Sequence, residues 1–295
     1  MRTMTLDALA TRHPRLFEAG IRLDRLPALA WLALQAAALA PTWTWMARRM
    51  LDRSDDPLGL LAIAALALLV FTLRHGLRAA PRLGWLALAA LATLAATLGR
   101  TGIGPVPPLP PLAAALLAMG ALACALLAFL PREVPAGPVA GLAVLALPLL
   151  SSLQFYAGYP LRVVTAEASR WLLAPGFEVA REGSSLWIDG RLVIVDAPCS
   201  GVQMAWLGYF TACVVALWAL RDHRAFLARL PAVGLLVLAG NIVRNSLLVA
   251  LEAGGRAPPP WLHDALGLAL LAAVCGAIAW VMNHSRGDHH GHRRA

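Results

Sequence analysis

The residues of this sequence that can do chemistry are few, and the first is a cysteine at the start of an apolar segment. Cys199 stands in VIVDAPCSGVQMAWLGYF (residues 193–210), after Pro198 and before Ser200 and Gly201. Proline suits the first turn of a helix, and the free N–H groups and dipole of a helix N-terminus favour a thiolate. The position predicts a reactive thiol. The other cysteines lie inside apolar runs, where a thiol packs as a small hydrophobe: Cys124, Cys213 and Cys275.

The second candidate is an arginine within an apolar segment. Arg244, in GNIVRNSLLVAL, is the only charged residue inside any of the membrane spans predicted below. A charge at that depth costs about 3 kcal/mol or more unless it meets a partner or water, so such residues mark candidate functional sites. Asn241 and Asn245 give the same segment a polar edge. The alternative interpretation is a structural guanidinium that donates hydrogen bonds to backbone carbonyls.

The third candidate is a histidine that precedes the last apolar run. His263 stands in PPPWLHDALG, and imidazole suits proton transfer because its ordinary pKa lies near neutral pH. Asp264 follows directly, but adjacent residues on a helix do not face each other, so the sequence predicts no His–Asp pair. A loop histidine without a chemical role is the alternative.

The composition predicts that an integral membrane protein carries these residues. Of 295 residues, 59% are hydrophobic and 14% are charged, whereas soluble domains carry about 25% charged residues. The net charge of +9 comes from arginine alone, and in such a protein arginine marks cytoplasmic loops rather than a nucleic-acid partner. We predict an all-α polytopic fold with about eight transmembrane helices: Pro27–Met46, Leu58–Leu73, Leu83–Leu98, Leu112–Leu130, Val139–Leu153, Gly201–Leu220, Leu230–Leu251 and Ala265–Met282.

The arginine distribution predicts the orientation of these spans. Loops on the side of the two termini are rich in arginine, and loops on the other side have fewer, so both termini should be cytoplasmic. The arginines on the cytoplasmic side are Arg2, Arg12, Arg15, Arg22, Arg25, Arg74, Arg78, Arg82, Arg132, Arg221, Arg224, Arg229, Arg286, Arg293 and Arg294.

One long external segment connects the fifth and sixth predicted spans. Pro160 suits a helix start, and apolar residues recur after it at helical spacing, with polar residues mostly opposite, which predicts a small amphipathic helix on the membrane surface. Asp189-Gly190 separates two strand-like runs and predicts a β-hairpin, because both turn positions need a positive φ. The apolar positions of the predicted surface helix are Leu161, Val164, Ala168, Trp171 and Leu172.

These elements divide the chain into four parts. Residues 1–153 hold the first five spans, 154–198 the extracytoplasmic helix and hairpin, 199–282 the last three spans with the candidate chemistry, and 283–295 a cytoplasmic tail. A His-rich tract can bind metal, but we interpret this one as a solvated tail. No HExxH, paired CxxC or phosphate-binding glycine loop is present, so no cofactor or metal is expected. The histidines of the tail are His284, His289, His290 and His292.

The three candidates fall on one predicted side of the membrane. Cys199 is at the outer start of the sixth span, and His263 precedes the eighth. Arg244 lies seven residues before the outer end of the seventh span, about 10 Å deep at 1.5 Å per residue. A thiol, a guanidinium and an imidazole are the groups of a nucleophile, an anion stabiliser and a general acid–base. The sequence therefore predicts one extracytoplasmic site.

The motifs around these residues resemble those of the exosortase/archaeosortase family. The likeness covers residues 154–280 and rests on Cys-Ser-Gly at the start of a span, NIVRN in the next and LHDALG at the start of the last. It implies Cys199 as the nucleophile, Arg244 and His263 as its catalytic partners, and Asn241, Ser200 and Gly201 as supporting residues. Pro198 and the VQM that follows Gly201 depart from the family pattern and leave the subfamily open.

The resemblance also implies partners and a location. Members are cysteine peptidases or transpeptidases of bacterial and archaeal membranes. They process exported proteins that end in a short motif, a transmembrane helix and a basic tail. An amine on a lipid or glycan, or water, would accept the product, and the expected location is the bacterial inner membrane, with the site facing the periplasm or exterior. Two other classes stay open: a non-catalytic transporter or scaffold for exopolysaccharide or surface-protein export, and a membrane acyltransferase with a cysteine nucleophile.

Overall fold

The computed structural model describes residues 26–52, 57–102, 107–194, 201–253 and 259–284. Alanine- and leucine-rich runs form its helices, as their high helix propensity predicts. The helices are α1 (Ala28–Ala38), α2 (Ala40–Leu51), α3 (Gly59–Thr72), α4 (Leu83–Thr101), α5 (Pro111–Phe129), α6 (Ala136–Leu145), α7 (Leu150–Leu173), α8 (Val202–Trp218), α9 (His223–Ala253) and α10 (Pro260–Asn283). The strands are β1 (Val179–Glu182), β2 (Ser185–Ile188) and β3 (Arg191–Ile194).

Four of the described helices are long and apolar enough to cross a membrane. They are α4, α5, the His223–Leu251 part of α9 and the Asp264–Asn283 part of α10. α6 and α7 together would make a fifth, broken span with a bend of 92°. α1, α3 and α8 are apolar but shorter, at 10–17 residues. The chain is a multispanning, mainly helical membrane protein, and the count of eight spans stays a prediction.

The observed helix boundaries near two prolines differ from those predicted from the sequence. The predicted fifth span, Val139–Leu153, is interrupted, because α6 ends at Leu145 and α7 begins at Leu150. Pro148 lies in this break, where it lacks an N–H and disfavours the helical conformation of the residue before it. The prediction that Pro160 begins a helix is wrong, since this residue lies inside α7. A helix held by neighbouring elements tolerates the single hydrogen bond that a proline removes.

The predicted surface helix is part of α7, and one of its faces is buried against other elements. We expected its polar side, which includes Thr165, to face water. Thr165 and Ser169 are instead fully buried at 0% exposure, while Val164 and Trp171 are 48% and 67% exposed. Where lipid surrounds a helix, apolar side chains gain little from burial and small polar residues make the helix contacts. The part of α7 after Pro160 therefore packs through its hydroxyl side chains.

The described chain forms two compact units. The first contains residues 26–43 and the described part of Val70–Pro131, with α1, α4 and α5. Arginines at the two ends of α4 donate hydrogen bonds to other helices: Arg82 Nε donates to the Leu127 carbonyl at 2.8 Å, and Arg100 donates to the Thr42 hydroxyl at 2.8 Å. The Leu127 carbonyl belongs to the last turn of α5, whose carbonyls lack partners within the helix.

The second unit contains Thr44–Leu69 and the described residues from Arg132 onward. In it α8 packs against α6, α9 and α10, and α9 packs along α7. An antiparallel sheet of order β1-β2-β3 follows α7. Asp189 and Gly190, between β2 and β3, have φ values of 47° and 77°, as a two-residue hairpin turn requires. The Asp189 carboxylate also accepts a hydrogen bond from the Glu178 backbone N–H at 3.0 Å.

One face of the sheet packs on the C-terminal parts of two helices. Leu186 of β2 lies in a buried cluster with Leu173 of α7 and Val249 of α9. An ion pair of 2.6 Å between Arg181 Nε of β1 and Glu167 Oε2 of α7 ties the sheet to the helix. The sheet is therefore held at one end of the helix pair.

Replacement of Leu186 by alanine tests this packing. Leu186 is 0% exposed and Leu192, in the next strand, is 48% exposed. We expect Leu186→Ala to lower the free energy of unfolding by about 2–5 kcal/mol, because it leaves a cavity in the cluster. Leu192→Ala is the control and should lower it by less than about 1 kcal/mol. Thermal unfolding in detergent measures both, and equal losses would contradict the described packing.

Candidate active site

Three helices of the second unit surround a cavity of about 450 Å³. The start of α8, the C-terminal part of α9 and the first turns of α10 meet there. This volume lies within the range of about 300–1,000 Å³ that is usual for ligand sites. Methionine and leucine side chains of α8 and α10 form the apolar wall. The polar and glycine lining consists of Gly201, Gln203, Asn241, Arg244, Asp264 and Gly267.

Arg244 is the half-buried cation of this cavity. Its guanidinium lies against α10, because a Cβ atom on Gly267 would be 3.4 Å from Arg244 Nε. Within the described part of the chain this guanidinium has no hydrogen bond or ion pair, although Asp264 lines the same cavity. A guanidinium is a donor with no acceptor atom. Among the described residues, then, its donors are available to an anion or carbonyl that enters the cavity.

Gly201 is the N-cap residue of α8 and lies against the side chain of Asn241. Its φ is +80°, a value that strains any residue with a Cβ atom. A Cβ atom here would also be 2.8 Å from Asn241 Cγ and 2.9 Å from Asn241 Nδ2, which is too close. Backbone conformation and close approach to the Asn241 amide therefore both require glycine at this position.

Two buried hydrogen bonds, the polar ladder, join α7 to α9. Asn241 Nδ2 donates to Thr165 Oγ1 at 3.2 Å, and Asn245 Nδ2 donates to Ser169 Oγ at 3.0 Å. The pairs advance by four residues on both helices, so α7 and α9 run in the same direction there. All four side chains are buried, where an unpaired amide or hydroxyl would be costly. The polar ladder therefore fixes the register of α7 on α9 beside Arg244.

The structure describes some of the sequence-predicted site residues and not others. It brings Asn241, Arg244 and Gly201 together around the cavity. The backbone of His263 lies in the first turn of α10, four residues before Gly267. Cys199 and Ser200 lie outside the described residues, so their place in the site stays a prediction.

The hydrogen-bond partners of the two asparagines were not among the site residues predicted from the sequence. A signal existed, because Thr165 and Ser169 repeat at the same four-residue spacing as Asn241 and Asn245. Equal spacing of polar residues on two apolar segments indicates two helices that face each other. No comparable signal marks Gly267, because its contact with the guanidinium depends on how α9 and α10 cross.

The three described cysteines belong to α5, α8 and α10. A Cβ atom on Gly141 would be 2.6 Å from Cys213 Sγ, and Thr211 Oγ1 is 3.5 Å from Cys275 Sγ. Cys124 lies within α5. Within the described ranges, no group of three or more His, Cys, Asp or Glu side chains could hold a metal ion. The Cys213 thiol is buried between α8 and α6, whereas Cys124 and Cys275 are partly exposed.

Comparison with known proteins assigns the family. The model of the transmembrane exosortase family matches residues 27–280, most of the 295-residue chain. No curated protein and no solved structure matches the chain significantly. The matched range includes α1, the cavity and nearly all of α10, so it extends the resemblance seen in residues 154–280 to the N-terminal helices. The chain belongs to the transmembrane exosortase family.

Proposed function

We propose that this protein is a membrane-embedded cysteine peptidase or transpeptidase. In this proposal it cleaves the C-terminal sorting signals of exported proteins at the outer face of the inner membrane. One observation carries the proposal: the half-buried Arg244 lies in a cavity whose wall begins two residues after Cys199. A cation there can stabilise both a thiolate and an oxyanion. Membership of the exosortase family, which acts on exported proteins with such signals, supports the substrate class.

Chain connectivity and helix register support a common site for Cys199, Arg244 and His263. Gly201 lines the cavity, and the two residues of chain back to Cys199 span at most about 7 Å between Cα atoms. On α10, His263 occupies the position one turn before Gly267, which lies against Arg244. Residues four apart on a helix share a face.

In the first half of the proposed reaction, the Cys199 thiolate attacks the carbonyl carbon of the scissile peptide bond. A C–S bond forms, and the carbonyl oxygen becomes an oxyanion, which the Arg244 guanidinium stabilises. One preorganised donor of this kind is worth about 3–4 kcal/mol of the barrier. When the oxyanion collapses, the C–N bond breaks and protonated His263 gives its proton to the leaving amine. A thioester on Cys199 and a neutral imidazole remain.

In the second half, an acceptor attacks the thioester carbon. Neutral His263 removes the proton from the acceptor, the new bond forms, and the C–S bond breaks to regenerate the thiolate. An amine on a lipid or glycan yields a transpeptidated product, and water yields a free carboxylate. Asn241 supports the reaction from α9, where its amide lies against Gly201, and Ser200 and Gly201 support it as the two residues that follow the nucleophile.

Arginines at the other end of α10 support the proposed orientation. Arg221, between α8 and α9, donates to the Met282 carbonyl at 2.8 Å, and Arg229 donates to the His284 carbonyl at 3.1 Å. Both bonds lie at the C-terminal end of α10, whereas the cavity lies at its N-terminal end. Arginine-rich ends of membrane helices face the cytoplasm. The cavity would then face outward, and the chain termini inward.

Loss of the thiol tests the nucleophile. In cells that express Cys199→Ala, we expect an exported protein with a C-terminal transmembrane helix and basic tail to accumulate uncleaved, because no thioester can form. Cys275→Ala is the control, since this residue does not line the cavity, and cells that express it should process the substrate normally. Immunoblots of the substrate measure both. Normal processing by Cys199→Ala would refute a cysteine mechanism.

Loss of the cation tests the role of Arg244 and separates an enzyme from a transporter. A nearby opposite charge lowers a thiol pKa by about one unit or more, so Arg244→Gln should slow alkylation of Cys199 by an external, membrane-impermeant maleimide about tenfold near neutral pH. Arg191→Gln, which changes an exposed arginine of β3, is the control. A transporter that uses Arg244 as an anion site predicts equal alkylation rates in all three proteins.

The new C-terminus of a processed substrate distinguishes the two reactions. Transpeptidation adds the mass of an amine-bearing lipid or glycan to the cleaved protein, whereas hydrolysis leaves a free carboxylate, because the acceptor that attacks the thioester stays in the product. We expect mass spectrometry of the mature substrate to show one of these ends. An intact C-terminal helix on all mature substrate would contradict both.

A further inference from the structure

We propose that Thr165 is a positioning residue of the active site, which acts on Cys199 through Asn241 and Gly201. The proposal rests on the proposed function, because the group to be positioned is the thiol two residues before Gly201. Thr165 itself lies on α7, outside the cavity lining, and would touch neither the substrate nor the reacting atoms.

Two consecutive contacts carry the proposal. The Thr165 hydroxyl accepts a hydrogen bond from Asn241 Nδ2 at 3.2 Å, and both side chains are buried. The same amide lies against Gly201, where a Cβ atom would be 2.8 Å from Asn241 Cγ. The Thr165 hydroxyl thus contacts the Asn241 amide, and Gly201, the residue before α8, packs against the same amide. A rotation of this amide would displace Gly201, because no free space separates them.

The second rung of the polar ladder separates positioning from helix packing. Ser169 and Asn245 make the same kind of hydrogen bond between the same two helices, at 3.0 Å. Asn245 does not line the cavity, whereas Asn241 does. Both rungs hold α7 on α9, but only the Thr165 rung continues to Gly201. A difference between the two rungs therefore measures the positioning effect.

Removal of the Thr165 hydroxyl should move the thiol rather than unfold the chain. Threonine and valine have nearly the same shape, so Thr165→Val leaves the space filled and removes the acceptor of Asn241. The Asn241 amide then loses its hydrogen bond to residue 165, and a shift of this side chain moves Gly201 with it. A displacement of about 1 Å at a reacting group can cost about 100-fold in rate. The thiol would also lose part of its interaction with Arg244.

The experiment compares Thr165→Val, Thr165→Ser and Ser169→Ala with the unaltered protein in intact membranes. Two quantities are measured: substrate processing, and the pH profile of Cys199 alkylation by an impermeant maleimide, with Cys199→Ala as the blank. Each rate is divided by the amount of enzyme in the membrane. Thr165→Ala, which is smaller than threonine, is made alongside in case valine lowers that amount severely.

We expect Thr165→Val and Thr165→Ala to slow processing about tenfold or more and to move the alkylation profile to higher pH. Thr165→Ser, which keeps the hydroxyl, should stay within about threefold of the unaltered protein, and so should Ser169→Ala. Equal effects of the Thr165 and Ser169 variants would overturn the proposal and leave both rungs as packing contacts. Normal processing by Cys199→Ala would instead refute the proposed function itself.

Discussion

The polar ladder between α7 and α9 is the constraint on which the site depends. In lipid, apolar surfaces do not drive helices together, so small polar residues and hydrogen bonds decide which faces meet. Thr165 and Ser169 select one face of α7, and Asn241 and Asn245 select one face of α9. Since Arg244 lies beside the asparagines, this choice also determines that the guanidinium faces α8 and α10. The residues that hold the two helices together therefore also orient the cation.

Glycines complete the site where helices approach it most closely. Gly267 lets α10 come up to the Arg244 guanidinium, and Gly201 lets the start of α8 rest on the Asn241 amide. A side chain at either position would fill the space beside the cation or the amide. The cavity thus lies beside a hydrogen-bonded asparagine, and two of its lining positions, Gly201 and Gly267, carry no side chain. The sheet packs on the ends of α7 and α9.

Local rules predicted some elements well and others wrongly. The Asp189-Gly190 turn follows from the preference of these residues for positive φ, which is a local property. Pro148 and Pro160 show the limit of such rules, because one lies in a helix break and the other lies within a helix. A proline removes one hydrogen bond in either place. Whether the helix continues depends on the contacts of its neighbouring turns, which the sequence around the proline does not contain.

The sequence alone determined the class of this protein and the residue types available for chemistry. A multispanning, exosortase-like protein could be predicted from the hydrophobic composition, the arginine distribution and three motifs. These are properties of short segments, and membrane insertion depends on such local properties. Only the tertiary structure decided which side chains meet. The packing of helices that are far apart in the chain brings Thr165 within hydrogen-bond distance of Asn241. It also places Gly267 against the Arg244 guanidinium. Such contacts depend on the register and crossing of whole helices, which no single segment specifies.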